Sequence, residues 1–208
     1  MNKGSFLFLL ILIMLAAIGT YQALFPLPTS MAFDQFFALS AFLLICVSLM
    51  IGPLATIWPK SFAVLIEPRR AVGIAAFVFA LVHVSITFII MLGGKWGMLV
   101  SSLSNELGVL AGILLFILAV TSSDYAIKTL GPGLWKNVQR FNYLIFILVF
   151  AHFILKSIIV SATASGQTFI NLADVFMLFM AAATVVLQVA GFITRRRMMA
   201  RKMQGPSA

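Results

Sequence analysis

Apolar residues run almost unbroken for about twenty positions at a time, six times over, and the breaks between runs carry charge, proline or glycine. A helix needs about 20 such residues to cross the hydrocarbon core of a bilayer. The pattern predicts spans at about 6–25, 36–58, 71–92, 107–123, 141–160 and 172–193. The expected fold is all-α: an integral membrane bundle of six transmembrane helices, forming a single transmembrane domain over residues 1–208. The first run follows Lys3 as a signal peptide would. It is read as a span because of its length and because no small-x-small cleavage site follows it. Pro26, Pro28, Pro53, Pro59, Pro68 and Pro132 fall at or near the span ends, and Gly93-Gly94 and Gly131-Pro132-Gly133 read as turns.

Charge orients the bundle. With the N-terminus inside, the cytoplasmic segments hold Lys3, Lys60, Arg69, Arg70, Lys128, Lys136, Arg140, Arg195, Arg196, Arg197, Arg201 and Lys202, against Lys95 and Lys156 outside. Cytoplasmic loops of membrane proteins carry this excess of Lys and Arg, so both termini are expected in the cytoplasm. The net charge of +9 then reflects these loops and contact with anionic membrane lipid, and no nucleic-acid partner is expected.

Composition narrows the classes. The chain is 62% hydrophobic and 9% charged, with a mean hydropathy of +1.14. Six spans with short connections leave no room for a soluble catalytic domain, so a flavin or nicotinamide domain is expected on a separate polypeptide. The single cysteine, Cys46, reads as a small buried hydrophobe and excludes cysteine-ligated zinc or iron–sulfur sites. Asp34, Glu106, Asp124 and Asp174 fall at span ends, where caps and first-turn acids belong. No carboxylate is therefore expected near mid-membrane, which speaks against proton pumps and ion-coupled transporters. Gly108, Gly112, Leu115 and Ala119 form a stripe that reads as a helix-packing face.

Both histidines lie inside apolar runs. His83 is 13 residues beyond Arg70, and His152 is 12 beyond Arg140, on two helices expected to run in the same direction. At 1.5 Å per residue, each lies roughly 18–20 Å from its basic flank, in the middle or outer half of the membrane. Haem iron has two axial positions on opposite faces of one ring, and two imidazoles at equal depth on separate helices supply that geometry. Ala76, Ala80 and Thr87 share the face of His83, and the two alanines would leave room for a flat macrocycle. The alternative is that each histidine is polar glue between helices. Two ligands are too few for a zinc or copper site.

The stretch Arg69-Arg70-x-x-Gly73 with His83 ten residues on, then Thr121-Ser122-Ser123, Leu130-Gly131, Trp135-Lys136, Tyr143 and His152, resembles the ferric reductase-like transmembrane superfamily. Within it, the pattern is most similar to the haem-binding membrane subunit of the periplasmic methionine-sulfoxide reductase system (the MsrQ type). The resemblance covers about residues 50–160. It implies a bacterial inner-membrane bundle that holds haem b, with His83 and His152 as axial ligands to the haem iron, and that passes electrons across the membrane. The family often has a further histidine 13 residues before the one in the fifth span; here that position is Gln139. One haem is therefore expected.

Secondary candidates accompany this reading. Lys156, one turn past His152, is either a propionate partner or a side chain that snorkels outward. Arg70 and Arg140, with Lys136, are candidate contacts for FMN or a quinone, or ordinary positive-inside residues. The expected function is a membrane b-type cytochrome, the electron-transfer subunit of an oxidoreductase system. It would take electrons from a quinol or from flavin reduced by a flavin reductase, and pass them to an extracytoplasmic redox protein such as a sulfoxide reductase. The alternatives are a terminal haem reductase of a small oxidant such as ferric iron, and a cofactor-free structural or transport protein.

Overall fold

The computed structural model describes residues 28–159 and 172–203, with positions 8, 11, 12, 15, 16, 18, 19 and 20 of the N-terminal stretch. Most of the expected first span lies outside the described residues, as does Asn171, which the sequence suggests as the cap opening the sixth span. All regular structure among the described residues is helical. The helices are α1 (Thr29–Ile57), α2 (Pro59–Phe62), α3 (Arg69–Ile86), α4 (Trp96–Leu99), α5 (Leu103–Val120), α6 (Asp124–Gln139), α7 (Phe141–Phe153) and α8 (Leu172–Met203). Thr87–Met91 and Ile154–Ile159 continue α3 and α7 as π-helix. Five helical stretches are long and apolar enough to cross a membrane: Thr29–Ile57, Arg69–Met91, Leu103–Val120, Asp124–Lys156 and Leu172–Arg201.

The boundaries differ from the sequence expectation in two useful places. Helix α1 begins at Thr29, seven residues before the predicted start at 36, so Asp34 lies inside the helix rather than ahead of it. Helix α8 continues to Met203, which puts Arg195–Arg197 on a helix extending beyond the apolar run.

Helix α1 is the central element. Every residue from Leu39 to Leu49 is buried, with α3 and α8 packed on it, while α5 pairs with α7. A helix that is apolar all round belongs in such a position. The surrounding helices turn apolar side chains outward: Ile74, Val78 and Leu81 on α3, Ile113 and Phe116 on α5, and Val185, Val186 and Val189 on α8. Lipid can cover these faces. Because lipid is as apolar as a leucine side chain, helix association then rests on close packing and hydrogen bonds.

The α1–α8 contact shows both. Pro53 lies inside α1 and has no N–H to give to the Leu49 carbonyl one turn back. The Gln188 side chain of α8 donates to that carbonyl at 2.7 Å. One turn on, a Cβ added to Gly191 would stand 2.9 Å from Pro53 Cβ, so only glycine admits the proline ring at this distance. Neighbouring helices commonly satisfy the carbonyls that proline frees in membrane helices.

Ahead of α6, Thr121-Ser122-Ser123 ties three elements together. Trp135 Nε1 of α6 donates to the Thr121 carbonyl at 3.0 Å, and the Gln139 amide reaches Thr121 Oγ1 and Ser122 Oγ at 3.4 Å. Arg70 of α3 donates to the Ser122 carbonyl and to Asp124 Oδ1. Helix α6 kinks at Gly131, whose φ of 73° a side chain would strain. The turn expected at Gly93-Gly94 is present, with both residues at positive φ.

Candidate functional site

His83 of α3 and His152 of α7 are 69 positions apart in the chain, yet their ring centres stand 6.5 Å apart with the planes at 68°. Both line a cavity of about 470 Å³ between α1, α3, α5 and α7. Small residues make the room: Ala38 and Ala41 of α1, Ala80 of α3, and Gly108, Ala111 and Gly112 of α5 all line it. Each histidine is followed closely by a π-helical stretch, beginning at Thr87 and at Ile154. Such departures from α-helix are frequent at functional sites.

The Nδ1 atom of each ring is turned to a group outside the pair. His152 Nδ1 lies 2.7 Å from the Ser104 carbonyl and 3.3 Å from Ser104 Oγ. A carbonyl only accepts, so this contact places the proton on Nδ1 and leaves the Nε2 lone pair free. His83 Nδ1 lies 2.9 Å from Asp34 Oδ1, an approach off the N–H axis of a full hydrogen bond. Neither Nε2 has a hydrogen bond among the described residues.

The ring separation fits two imidazoles on one metal. Metal–nitrogen bonds of about 2 Å, with each ring centre about 1.2 Å further back as C–N bonds of about 1.33 Å require, give roughly 6.4 Å. The six small residues leave room beside the rings for a macrocycle. The donor chemistry and the cavity therefore suit haem, whereas the described residues contain no group of three His, Cys, Asp or Glu side chains able to hold a bare metal ion.

Asp34 corrects one expectation outright. It touches His83 and accepts from Thr87 Oγ1 at 2.7 Å, so a carboxylate does stand at the depth of the histidines. The reason is the early start of α1. Asp174, in the first turn of α8, is 2% exposed and also lines the cavity. Gly108 and Gly112 are more than a packing stripe: a Cβ on Gly108 would stand 3.0 Å from His152 Nδ1, and Gly112 borders open cavity. Ala80 and Thr87 line the cavity as expected of His83's face, but Ala76 is packed in the core.

The remaining candidates are spread out. Lys156 is exposed and lines the cavity one turn beyond His152. Arg70 is engaged by Asp124 and Ser122, and Arg140 by Asn137 Oδ1 at 2.9 Å; neither lines the cavity. Cys46 is fully buried and unpaired, as its setting predicted.

Residues 36–150 match the model of the ferric reductase like transmembrane component. The chain belongs to that family. As a ferric reductase-like chain with five candidate spans among its described residues, it is a multi-pass membrane protein. The family match contains His83, while Asp34 and His152 each lie two residues outside it. The chain is 29% identical over 127 residues to the protein-methionine-sulfoxide reductase heme-binding subunit MsrQ of Agrobacterium fabrum, covering 59% of this chain and 57% of that protein. It is 33% identical over 112 residues to the Enterobacter subunit of the same name, covering 51% and 55%. It is also 31% identical over 147 residues to the magnetosome protein MamZ of Magnetospirillum gryphiswaldense, covering 66% of this chain but 21% of that protein.

Proposed function

We propose that this chain is a membrane cytochrome that holds one b-type haem between His83 and His152 and carries electrons across the membrane. The observation that carries this reading is the histidine pair: ring centres 6.5 Å apart, each Nδ1 facing an oxygen acceptor outside the pair, and each Nε2 without a hydrogen bond among the described residues. Two relatives are named as heme-binding subunits, in keeping with it. Bound haem supplies a one-electron carrier in the apolar core. The chain's own residues set its place and access. Ser104 fixes the His152 tautomer, the glycines and alanines admit the flat ring, and Lys156 at the cavity rim is a partner for a propionate. The rest of the cavity wall is largely apolar.

The orientation completes the proposal. The chain forms one transmembrane domain of six spans with both termini cytoplasmic, in a bacterial inner membrane. Electrons enter from a quinol or a reduced flavin near the basic inner rim, where Arg70 and Arg140 lie. They leave to an extracytoplasmic redox protein of the sulfoxide-reductase type.

A pyridine haemochrome assay on purified protein should give about one haem per chain. His83→Ala and His152→Ala should each abolish the low-spin spectrum; two variants with a wild-type spectrum would refute the assignment. A quinol analogue or reduced flavin should reduce the haem, and NADPH alone should not. Reporter fusions at Gly94 should read outside, and those at Gly131 and after Met203 inside. An outside signal after Met203 would overturn the six-span orientation.

A further inference from the structure

The two histidines are held from behind by unlike groups. His152 Nδ1 meets a neutral acceptor, the Ser104 carbonyl. His83 Nδ1 meets a carboxylate, Asp34 Oδ1, at 2.9 Å, with the Asp34 side chain 16% exposed. Thr87 donates to the same Oδ1 at 2.7 Å. Thr87 stands four residues beyond His83 in the chain, so α3 carries both the imidazole and the hydroxyl that anchors its neighbour. His83 Nδ1 is buried and has no other partner, and its 2.9 Å approach to Asp34 Oδ1 is already at hydrogen-bonding distance.

We infer that Asp34, held by Thr87, is a positioning residue that accepts the His83 Nδ1–H, orients Nε2 toward the iron and sets the reduction potential of the haem. The inference rests on the proposed axial role of His83. A carboxylate behind a metal-bound imidazole fixes its tautomer and raises its basicity. A more basic ligand favours the ferric over the ferrous state, which lowers the potential. Thr87 works against this by drawing charge from the same oxygen. The competing role is purely structural, with Asp34 and Thr87 as glue between α1 and α3. That role predicts a change in stability and none in potential.

The test is an anaerobic redox titration of the purified full chain with haem, followed in the visible bands, for the wild type, Asp34→Asn and Thr87→Val. Asp34→Asn removes the charge and keeps the shape. It should retain haem and a low-spin spectrum, with the midpoint potential moved in the positive direction. Thr87→Val, which leaves Asp34 Oδ1 to the imidazole alone, should move it in the negative direction. Asp34→Ala should weaken haem retention by about 10–100-fold. Wild-type potentials in both Asp34→Asn and Thr87→Val, with haem in place, would overturn the inference. If Asp34→Asn fails to fold, the sign of the Thr87→Val shift decides. Failure of the axial reading itself shows separately, as a wild type without haem or a His83→Ala variant with an unchanged spectrum.

Discussion

At Pro53, α8 closes on α1 until a Cβ on Gly191 would stand 2.9 Å from the proline ring, and the freed Leu49 carbonyl receives the Gln188 amide at 2.7 Å. At the histidine pair, four helices stand apart around about 470 Å³, and two Nε2 atoms have no hydrogen bond among the described residues. Both regions put polar groups inside a bundle where lipid offers no partner. The first uses glycine to remove space and uses a polar side chain to complete the backbone. The second uses glycine and alanine to keep space open and leaves ring nitrogens available. Intramembrane polarity therefore does not distinguish a joint from a site; the use made of the space beside it does.

The comparison breaks most sharply on the histidines. His152→Ala should remove the haem spectrum while leaving the α1–α8 joint intact. The check is spectroscopy alongside thermal unfolding in detergent: loss of the band with a nearly unchanged melting temperature in the haem-free state. The reciprocal change is Gly191→Leu. It forces a side chain onto Pro53 and should cost about 1–3 kcal/mol, the usual range for overpacking. Haem stoichiometry in the folded fraction should stay at the wild-type value. A Gly191→Leu protein of wild-type stability would mean that α8 does not close on Pro53 as described.

Gln188 should show a smaller and conditional effect. Gln188→Leu strands the Leu49 carbonyl and should cost about 1 kcal/mol. Tyr143 reaches Gln188 Oε1 at 3.4 Å, too long to add much. Pro53→Ala restores an N–H that can bond Leu49 within α1, so Gln188→Leu should cost less in that background. A double-mutant cycle reads this coupling directly. Additive costs would show that Gln188 is not there to serve the proline.

Much of this was legible in the sequence, and the misses have definite causes. The apolar runs marked the helices, and the similar spacing of His83 and His152 from Arg70 and Arg140, 13 and 12 residues, pointed to two rings at matched depth. Charge marks the span boundaries elsewhere in this chain, but not at Asp34. Helix α1 instead starts behind Pro28 at Thr29 and carries the carboxylate inward. Gln188 gave no pattern signal, since its partner exists only because Pro53 lies one turn past Leu49. Gly108 and Gly112 were visible as a small-residue stripe. Spacing within one helix could not say that the opposing surface is an imidazole at one glycine and open space at the next.

That last pair supplies the finest test. Gly108 and Gly112 are four residues apart, so they share a face of α5. Alanine at either position adds the same methyl and the same gain in helix propensity, about 0.8–1 kcal/mol. Their surroundings differ. The new Cβ at 108 would stand 3.0 Å from His152 Nδ1 and 3.1 Å from Cε1, while at 112 nothing lies within 4 Å. The His152 ring must then yield by a few tenths of an ångström while Nδ1 is tied to the Ser104 carbonyl at 2.7 Å. Gly108→Ala should therefore lose most of the propensity gain and shift the low-spin haem bands, with haem still bound. In the haem-free protein, Gly112→Ala should keep the gain. With haem, its methyl enters the space proposed for the ring, so it should lower haem retention rather than alter the ligand field. Melting temperatures with and without haem, together with visible spectra of the two variants, separate these outcomes. Identical spectra and retention in both would show that α5 lines the bundle there without shaping the site.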